Sequence, residues 1–118
     1  MKRILLAEDE EHIARLIEFK LKKEGFDIHV ARNGVEALEH WSKSGWSLLI
    51  LDVMMPIQDG WQVLKMVRQS DPKIPVLMLT AKSSEMDIAK SAELGATRFL
   101  KKPFDPADLA RIVMECIA

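Results

Sequence analysis

Short apolar runs alternate with amphipathic segments along the chain, and this alternation constrains the fold more than any other feature. The runs Ile4–Ala7, Leu48–Leu51 and Val76–Leu79 are apolar throughout. Asp27–Ala31 alternates polar with apolar residues, and Arg98–Lys101 is short and charged. Strands that alternate with helices form a parallel sheet covered by helices on both faces. The pattern therefore predicts an α/β protein of the (βα)5 type.

The segments between the runs carry helix signals. Gly25 is typical of a residue just after a helix, and Asp59 with Gln62 is typical of a capping box. Ser84 is predicted to begin the fourth helix, and Asp105, followed by proline, the fifth. Residues at helical spacing that are predicted to face the core, helix by helix, are Ile13, Leu16, Ile17 and Leu21; Val35, Leu38 and Trp41; Trp61, Val63, Leu64 and Val67; Ile88, Ala89 and Ala92; and Leu109, Ile112, Val113 and Cys116.

The polarity of the runs predicts the order of the strands. The three fully apolar runs are expected at the centre of the sheet, where both faces are buried. The alternating second run and the charged fifth run are expected at the edges. Right-handed crossovers then favour the order 2-1-3-4-5, a doubly wound, flavodoxin-like sheet. Ligands of such sheets bind at the carboxyl ends of the strands, where the winding reverses between strands one and three.

Composition agrees with one globular domain spanning residues 1–118, since 48% of the residues are hydrophobic and 30% are charged. The single cysteine excludes an internal disulfide and a cysteine-rich zinc site. The formal net charge of −1 argues against nucleic-acid binding by this domain. No apolar run approaches the roughly 20 residues of a membrane helix, and the first run is too short for a signal peptide. We therefore expect no membrane association and a cytoplasmic location.

Side chains that can do chemistry follow the ends of several strands. Glu8 and Asp9 follow the first strand, Asp52 the third, Thr80 the fourth and Lys102 the fifth. Because the carboxyl ends of parallel strands meet at one edge of a sheet, we expect these five residues to line a small acidic pocket open to solvent.

Three neighbouring carboxylates repel one another, and a hard divalent cation relieves that repulsion. Oxygen ligands on an open edge suit Mg2+, whereas zinc would require a histidine or cysteine cluster. His12, His29 and His40 are predicted to be scattered over surface or edge positions. A carboxylate beside Mg2+ can attack phosphorus and form an aspartyl phosphate, with Lys102 neutralising charge and Thr80 donating a hydrogen bond.

Five motifs of this chain, in this order, resemble the receiver domains of bacterial two-component response regulators, a family that includes chemotaxis regulators. The resemblance covers the whole chain, and its specificity lies in the combination of the motifs. The motifs are Leu5-Leu6-Ala7-Glu8-Asp9-Glu10, Leu51-Asp52-Val53-Met54-Met55-Pro56 with Asp59-Gly60, Leu79-Thr80-Ala81, Glu93-Leu94-Gly95-Ala96 and Lys101-Lys102-Pro103-Phe104.

The resemblance implies a magnesium-dependent phosphoacceptor site. Asp52 would accept the phosphoryl group. Asp9 and Asp52 would bind Mg2+ directly, Glu8 would act mostly through water, and the backbone carbonyl of Met54 would complete the protein ligands.

The resemblance also implies how the site is read out. Thr80, Ala81 and Lys102 would surround the phosphoryl group, and Phe99 would be the aromatic residue that turns inward when Thr80 moves. The peptide bond before Pro103 is expected to be cis.

Such a domain would take its phosphoryl group from a phosphohistidine of a histidine kinase or phosphotransfer protein. It would catalyse only its own phosphorylation and dephosphorylation. The surface around Ile88–Leu94 and Ala107–Val113, on helix 4, strand 5 and helix 5, is predicted to bind an effector or a second copy.

Three alternatives remain at the level of sequence. An aspartyl-nucleophile phosphatase usually has a second aspartate where this chain has Met54. A flavin-binding module of similar topology would need a phosphate loop where Glu8–Glu11 would repel phosphate. A degenerate receiver that signals without phosphate would lack site residues, but none is missing here.

Overall fold

A computed structural model describes residues 2–81 and 85–117, which contain five strands and five helices in strict alternation. The strands are β1 (Arg3–Ala7), β2 (Asp27–Ala31), β3 (Leu48–Asp52), β4 (Val76–Thr80) and β5 (Arg98–Lys101). The helices are α1 (Glu11–Lys23), α2 (Gly34–Trp41), α3 (Gly60–Ser70), α4 (Glu85–Glu93) and α5 (Pro106–Ile117). All neighbouring strands pair in parallel, in the order β2-β1-β3-β4-β5. The predicted fold class and strand order are confirmed.

The burial of the strands explains this order. Every residue of β3 and β4 is buried, as is β1 from its second residue onward. In contrast, β2 is buried only at Ile28 and Ala31 and half-buried elsewhere, and β5 is half-buried or exposed throughout. The fully apolar runs therefore occupy the centre, where apolar side chains leave water on both faces of the sheet.

The core has two layers, one on each face of the sheet. Alternate residues of the central strands pack with α1 and α5 on one face, as Ile50 and Leu77 do. Their neighbours pack with α2 and α3 on the other face, as Leu51 and Met78 do. None of the helices within residues 2–81 and 85–117 combines the length and apolarity needed to span a membrane.

Most of the predicted helix ends are confirmed. The Asp59 carboxylate accepts from the Gln62 backbone N–H at 2.9 Å, and the Gln62 side chain accepts from the Asp59 N–H at 3.0 Å. Gly25 follows α1 with a φ of +94°, the left-handed conformation that glycine adopts readily. The Asp105 carboxylate accepts from the backbone N–H of Ala107 at 2.8 Å. Ser84 lies outside the described residues.

Some inward positions of α1 and α2 were predicted wrongly. Leu16 is 45% exposed and Val35 is 39% exposed, whereas Ala14 and Ala37 are buried. Small side chains let the helix backbone lie close to the sheet at the buried positions. Larger side chains next to them in sequence then lie at the side of the helix, partly exposed to solvent. The core positions predicted for α3 are confirmed, and in α5 the inward residues are buried apart from the half-buried Cys116.

The prediction for α4 was also wrong. Ile88, Ala89 and Ala92 were expected to face the core, but all three are exposed. Ser91, one residue out of phase with that pattern, is 4% exposed instead. With so few apolar residues in this segment, helical spacing did not determine which side faces the sheet.

Arg68 on α3 forms hydrogen bonds with the segments that lead into β4 and β5. Its guanidinium donates to the backbone carbonyls of Gly95 at 2.8 Å, Ile74 at 2.7 Å and Asp71 at 3.2 Å. Partial burial lowers the pKa of Arg68, with Asp71 opposing the shift, yet the group stays charged because its reference pKa is so high. One side chain therefore ties α3 to the segments that precede β4 and β5.

Arg68→Met is expected to lower the free energy of unfolding by about 2 kcal/mol, because three carbonyls lose charged donors in a partly buried setting. Urea unfolding followed by circular dichroism measures the loss. Arg111→Met is the matched control, since its guanidinium is 57% exposed in its pair with Glu115. Such surface pairs contribute less than about 1 kcal/mol. Equal losses in the two variants would contradict this role of Arg68.

Candidate functional site

The carboxyl ends of β1 and β3 bring three carboxylates together. Ala7 pairs with Leu51, so Glu8 and Asp9, which follow β1, lie beside Asp52, the last residue of β3. One oxygen of each of these three carboxylates lies within 4.8 Å of the others. Among the residues that the structure describes, this is the one cluster of potential metal ligands.

Lys102 from the end of β5 reaches into this cluster. Its Nζ atom lies 2.7 Å from Glu8 Oε1 and 3.1 Å from Asp52 Oδ2. The backbone N–H of Lys102 donates to the carbonyl of Thr80 at 2.7 Å, so β4 holds the start of the lysine side chain in place. The ammonium therefore bridges two carboxylates that belong to different strands.

Glu8 is the most buried member of the cluster, with none of its side chain exposed. Burial, reinforced by the neighbouring Asp52 carboxylate, raises the pKa of Glu8 to about 8, and Lys102 opposes the shift. Glu8 Oε1 pairs with the Lys102 ammonium at 2.7 Å, and within the described residues no other group donates to it. A bound cation would supply further positive charge beside this buried oxygen.

Lys102 remains a cation in this setting. Burial by itself would lower the pKa of Lys102, but contact with Glu8 and Asp52 outweighs burial and raises it. One ammonium thus faces two buried carboxylates, with Asp9 exposed beside them. Because the carboxyl groups outnumber the single ammonium, the cluster favours the binding of a further cation.

The pocket is more closed than its sequence suggests. The Asp52 side chain is only 4% exposed and Lys102 is 11% exposed. Lys102 also lines a cavity of about 430 Å³, together with Ala81, Phe104 and residues of α1. The Asp52 carboxylate therefore offers little surface to a reactant in this conformation.

The loop between β3 and α3 surrounds the Asp52 carboxylate. The backbone N–H of Met54 donates to Asp52 Oδ1 at 3.3 Å, while the Met54 side chain is exposed. The N–H of Gly60 donates to the Val53 carbonyl at 2.9 Å and closes the loop. A Cβ atom at Gly60 would lie 2.3 Å from the Asp52 carbonyl oxygen. Sequence reasoning assigned Gly60 only to a motif and missed this close approach.

The remaining site residues lie in β4, in β5 and directly after β5. Thr80 is 1% exposed and follows Leu79, the residue that pairs with Asp52. Phe99 is half-buried in β5 and packs against the core layer of α2 and α3. The Lys102–Pro103 peptide bond is cis, as predicted.

His29 and His40 lie on different elements, as predicted, yet their side chains are neighbours. The ring centroids of His29 and His40 are 6.5 Å apart, and both rings form T-shaped pairs with Trp46, with centroid distances of 5.2 and 6.4 Å. They come from β2 and α2, which no spacing in the sequence relates. His29 also lies 3.1 Å from the Asp27 carboxylate.

A doubly wound sheet with carboxylates and a lysine where its winding reverses is the arrangement of receiver domains. The family described as "Response regulator receiver domain" matches residues 4–114. The transcriptional regulatory protein PcoR of Escherichia coli is 44% identical over 92% of this chain and 48% of its own length. The Francisella response regulator 1452 receiver domain matches with a TM-score of 0.94 and 31% identity, over 99% of this chain and 97% of that one.

A third relative carries a ligand. The response regulator TrrA of Thermotoga maritima, solved in complex with Mg2+-BeF, matches with a TM-score of 0.89 and 33% identity, over 98% of this chain and 99% of that one. The chain therefore belongs to the response regulator receiver domain family of two-component systems. It is a regulatory domain, a phosphorylation-dependent signalling switch. It spans about half the length of the curated relatives it matches.

Proposed function

We propose that residues 1–118 form one receiver domain in which Asp52 accepts the phosphoryl group. The observation that carries the proposal is the placement of the Asp52 carboxylate at the end of β3, beside two further carboxylates and 3.1 Å from the Lys102 ammonium. A nucleophilic carboxylate needs neighbours that neutralise the charge of an incoming phosphate, and this cluster supplies them.

The site suits Mg2+. Asp9, Asp52 and the Met54 carbonyl would hold the ion directly, with Glu8 acting through water. Three carboxylate oxygens within 4.8 Å, one of them from the fully buried Glu8, fit a hard cation with oxygen ligands. When bound, the ion neutralises charge on the carboxylates and on the phosphoryl oxygens.

The side chains of this chain do the remaining work. An oxygen of Asp52 attacks phosphorus, forming the acyl phosphate bond as the bond to the donor breaks. Lys102 leaves Glu8 to balance the charge of the phosphoryl group, and the Thr80 hydroxyl and Ala81 backbone contact its oxygens. The domain thereby catalyses its own phosphorylation, and water attack on the same bond returns Asp52 to its free state.

Phosphorylation would act as a switch through the end of β4. Thr80 moves toward the phosphoryl group and leaves space into which Phe99 turns. This motion alters the surface of α4, β5 and α5, where an effector or a second copy would bind. The donor would be a phosphohistidine of a cytoplasmic histidine kinase domain or phosphotransfer protein.

Incubation with acetyl phosphate, followed by intact-protein mass spectrometry, tests the proposal. We expect one added phosphoryl group in the presence of Mg2+ and none when EDTA removes the metal. Labelling that is independent of Mg2+, or no labelling in either condition, would count against the site. Steady turnover of phosphomonoester substrates would favour the phosphatase alternative instead.

A further inference from the structure

The loop between β3 and α3 has an unfavourable conformation at its centre. The Gln58 N–H donates to the Pro56 carbonyl at 2.9 Å, which makes a three-residue γ-turn around Ile57. Ile57 has a φ of +72°, a region that β-branched residues rarely adopt. Its side chain is 75% exposed, so burial does not compensate for the strain. Contacts on either side of the turn must therefore impose this conformation.

One of those contacts comes from the first residue of α2. A Cβ atom at Gly34 would lie 2.3 Å from the Gln58 carbonyl oxygen and 2.5 Å from the Gln58 Cβ. Backbone atoms cannot swing away as the end of a long side chain can. The loop therefore rests directly on the start of α2, and glycine is the residue that permits it.

The start of α2 is itself held firmly. The side chain of Asn33 accepts from the Glu36 backbone N–H at 2.9 Å, which caps the helix. Ala37, one turn further on, is fully buried against the sheet. The other end of the loop is closed by the Gly60 to Val53 hydrogen bond of 2.9 Å. The loop is thus held between two fixed points, Gly34 and Gly60.

We propose that Gly34 is a positioning residue for the metal site: by receiving Gln58, it sets the loop that carries the Met54 carbonyl. This inference rests on the proposed function, in which that carbonyl binds Mg2+. An added methyl group at residue 34 needs about 1 Å more space to reach an ordinary contact of about 3.5 Å. Because the loop is short and closed at Val53, a shift of Gln58 moves Met54 as well.

Calorimetric titration of the unphosphorylated domain with Mg2+ tests this inference. Gly34→Ala is expected to weaken Mg2+ binding about tenfold, the lower end of the range for residues that orient metal ligands. Val35→Gly is the matched control, because it weakens the same turn of α2 at a position that is 39% exposed, and removing a side chain adds no atom that could displace the loop. We expect Val35→Gly to bind Mg2+ as wild type does, even where its melting temperature falls as far.

Asp9→Asn separates the two levels of inference. If wild type and Asp9→Asn bind Mg2+ equally, the proposed metal site fails. If Asp9→Asn loses binding but Gly34→Ala binds as tightly as wild type, the role of Gly34 alone is overturned. Should Gly34→Ala not fold, Gln58→Gly makes the same test from the loop, since it removes the side chain that packs on Gly34. Weaker Mg2+ binding by Gln58→Gly supports the inference, and unchanged binding overturns it.

Discussion

The Asp52→Asn variant is expected to take up no phosphoryl group from acetyl phosphate in the presence of Mg2+, while the wild-type domain takes up one. An amide cannot form the acyl phosphate, so the loss should be complete rather than partial. Asparagine has nearly the shape of aspartate, and its carbonyl oxygen can still accept from the Met54 N–H, so the fold should survive.

Asp105→Asn is the matched control for this experiment. It makes the same chemical change at an exposed carboxylate that caps α5, a role that asparagine also performs well. We expect Asp105→Asn to be labelled as wild type is, by intact-protein mass spectrometry. A phosphoryl group on the Asp52→Asn protein would show that another residue is the acceptor, and Asp9 would be the first to examine.

The fold could be predicted because two physical signals coincide in the sequence. Fully apolar runs such as Leu48–Leu51 need burial on both faces, which places them at the centre of a covered parallel sheet. The polar alternation of Asp27–Ala31 and the charge of Arg98–Lys101 tolerate water, which places them at the edges. The order of strands then follows from the handedness of the connections.

Predictions of helix faces failed where local pattern and packing diverge. In α4 the apolar residues are few, and the buried one among residues 87–93 is Ser91, which no hydrophobic periodicity identifies. In α1 the small Ala14 is buried, while the larger Leu16 is 45% exposed. Which side of a helix lies nearest the sheet depends on the neighbouring layer, and a single segment does not contain that information.

The residues of the candidate site could be predicted in kind but not in detail. The predicted strand ends identify Glu8 and Asp52 as site residues, because the carboxyl ends of parallel strands meet at one edge of the sheet, where ligands bind. The burial of Glu8 and its contact with Lys102 depend on the path that the long Lys102 side chain takes from the end of β5 toward the end of β1. The packing of Gly34 on Gln58 joins the start of α2 to a loop that is distant in sequence, and neither residue carries a chemical signal of its role.

Lys102→Met is expected to lower the free energy of unfolding by about 3 kcal/mol in metal-free buffer at neutral pH, because it removes the cation that pairs with the buried Asp52 carboxylate and that opposes the raised pKa of Glu8. The side chains concerned are those of Glu8, which is 0% exposed, and Asp52, which is 4% exposed. Methionine keeps most of the apolar length of lysine, so the loss should reflect charge rather than packing. Urea unfolding in EDTA measures the difference.

Lys101→Met provides the matched control, since it changes the neighbouring residue in the same way at an exposed position of β5. Its effect should stay within about 0.5 kcal/mol, as for most surface substitutions. Excess Mg2+ should restore part of the stability lost by Lys102→Met, because a cation bound among the same carboxylates offsets the missing ammonium. Equal stability of the two variants in EDTA would show that Lys102 does not neutralise the buried carboxylates. A deficit in Lys102→Met that Mg2+ leaves unchanged would mean that the ion binds elsewhere.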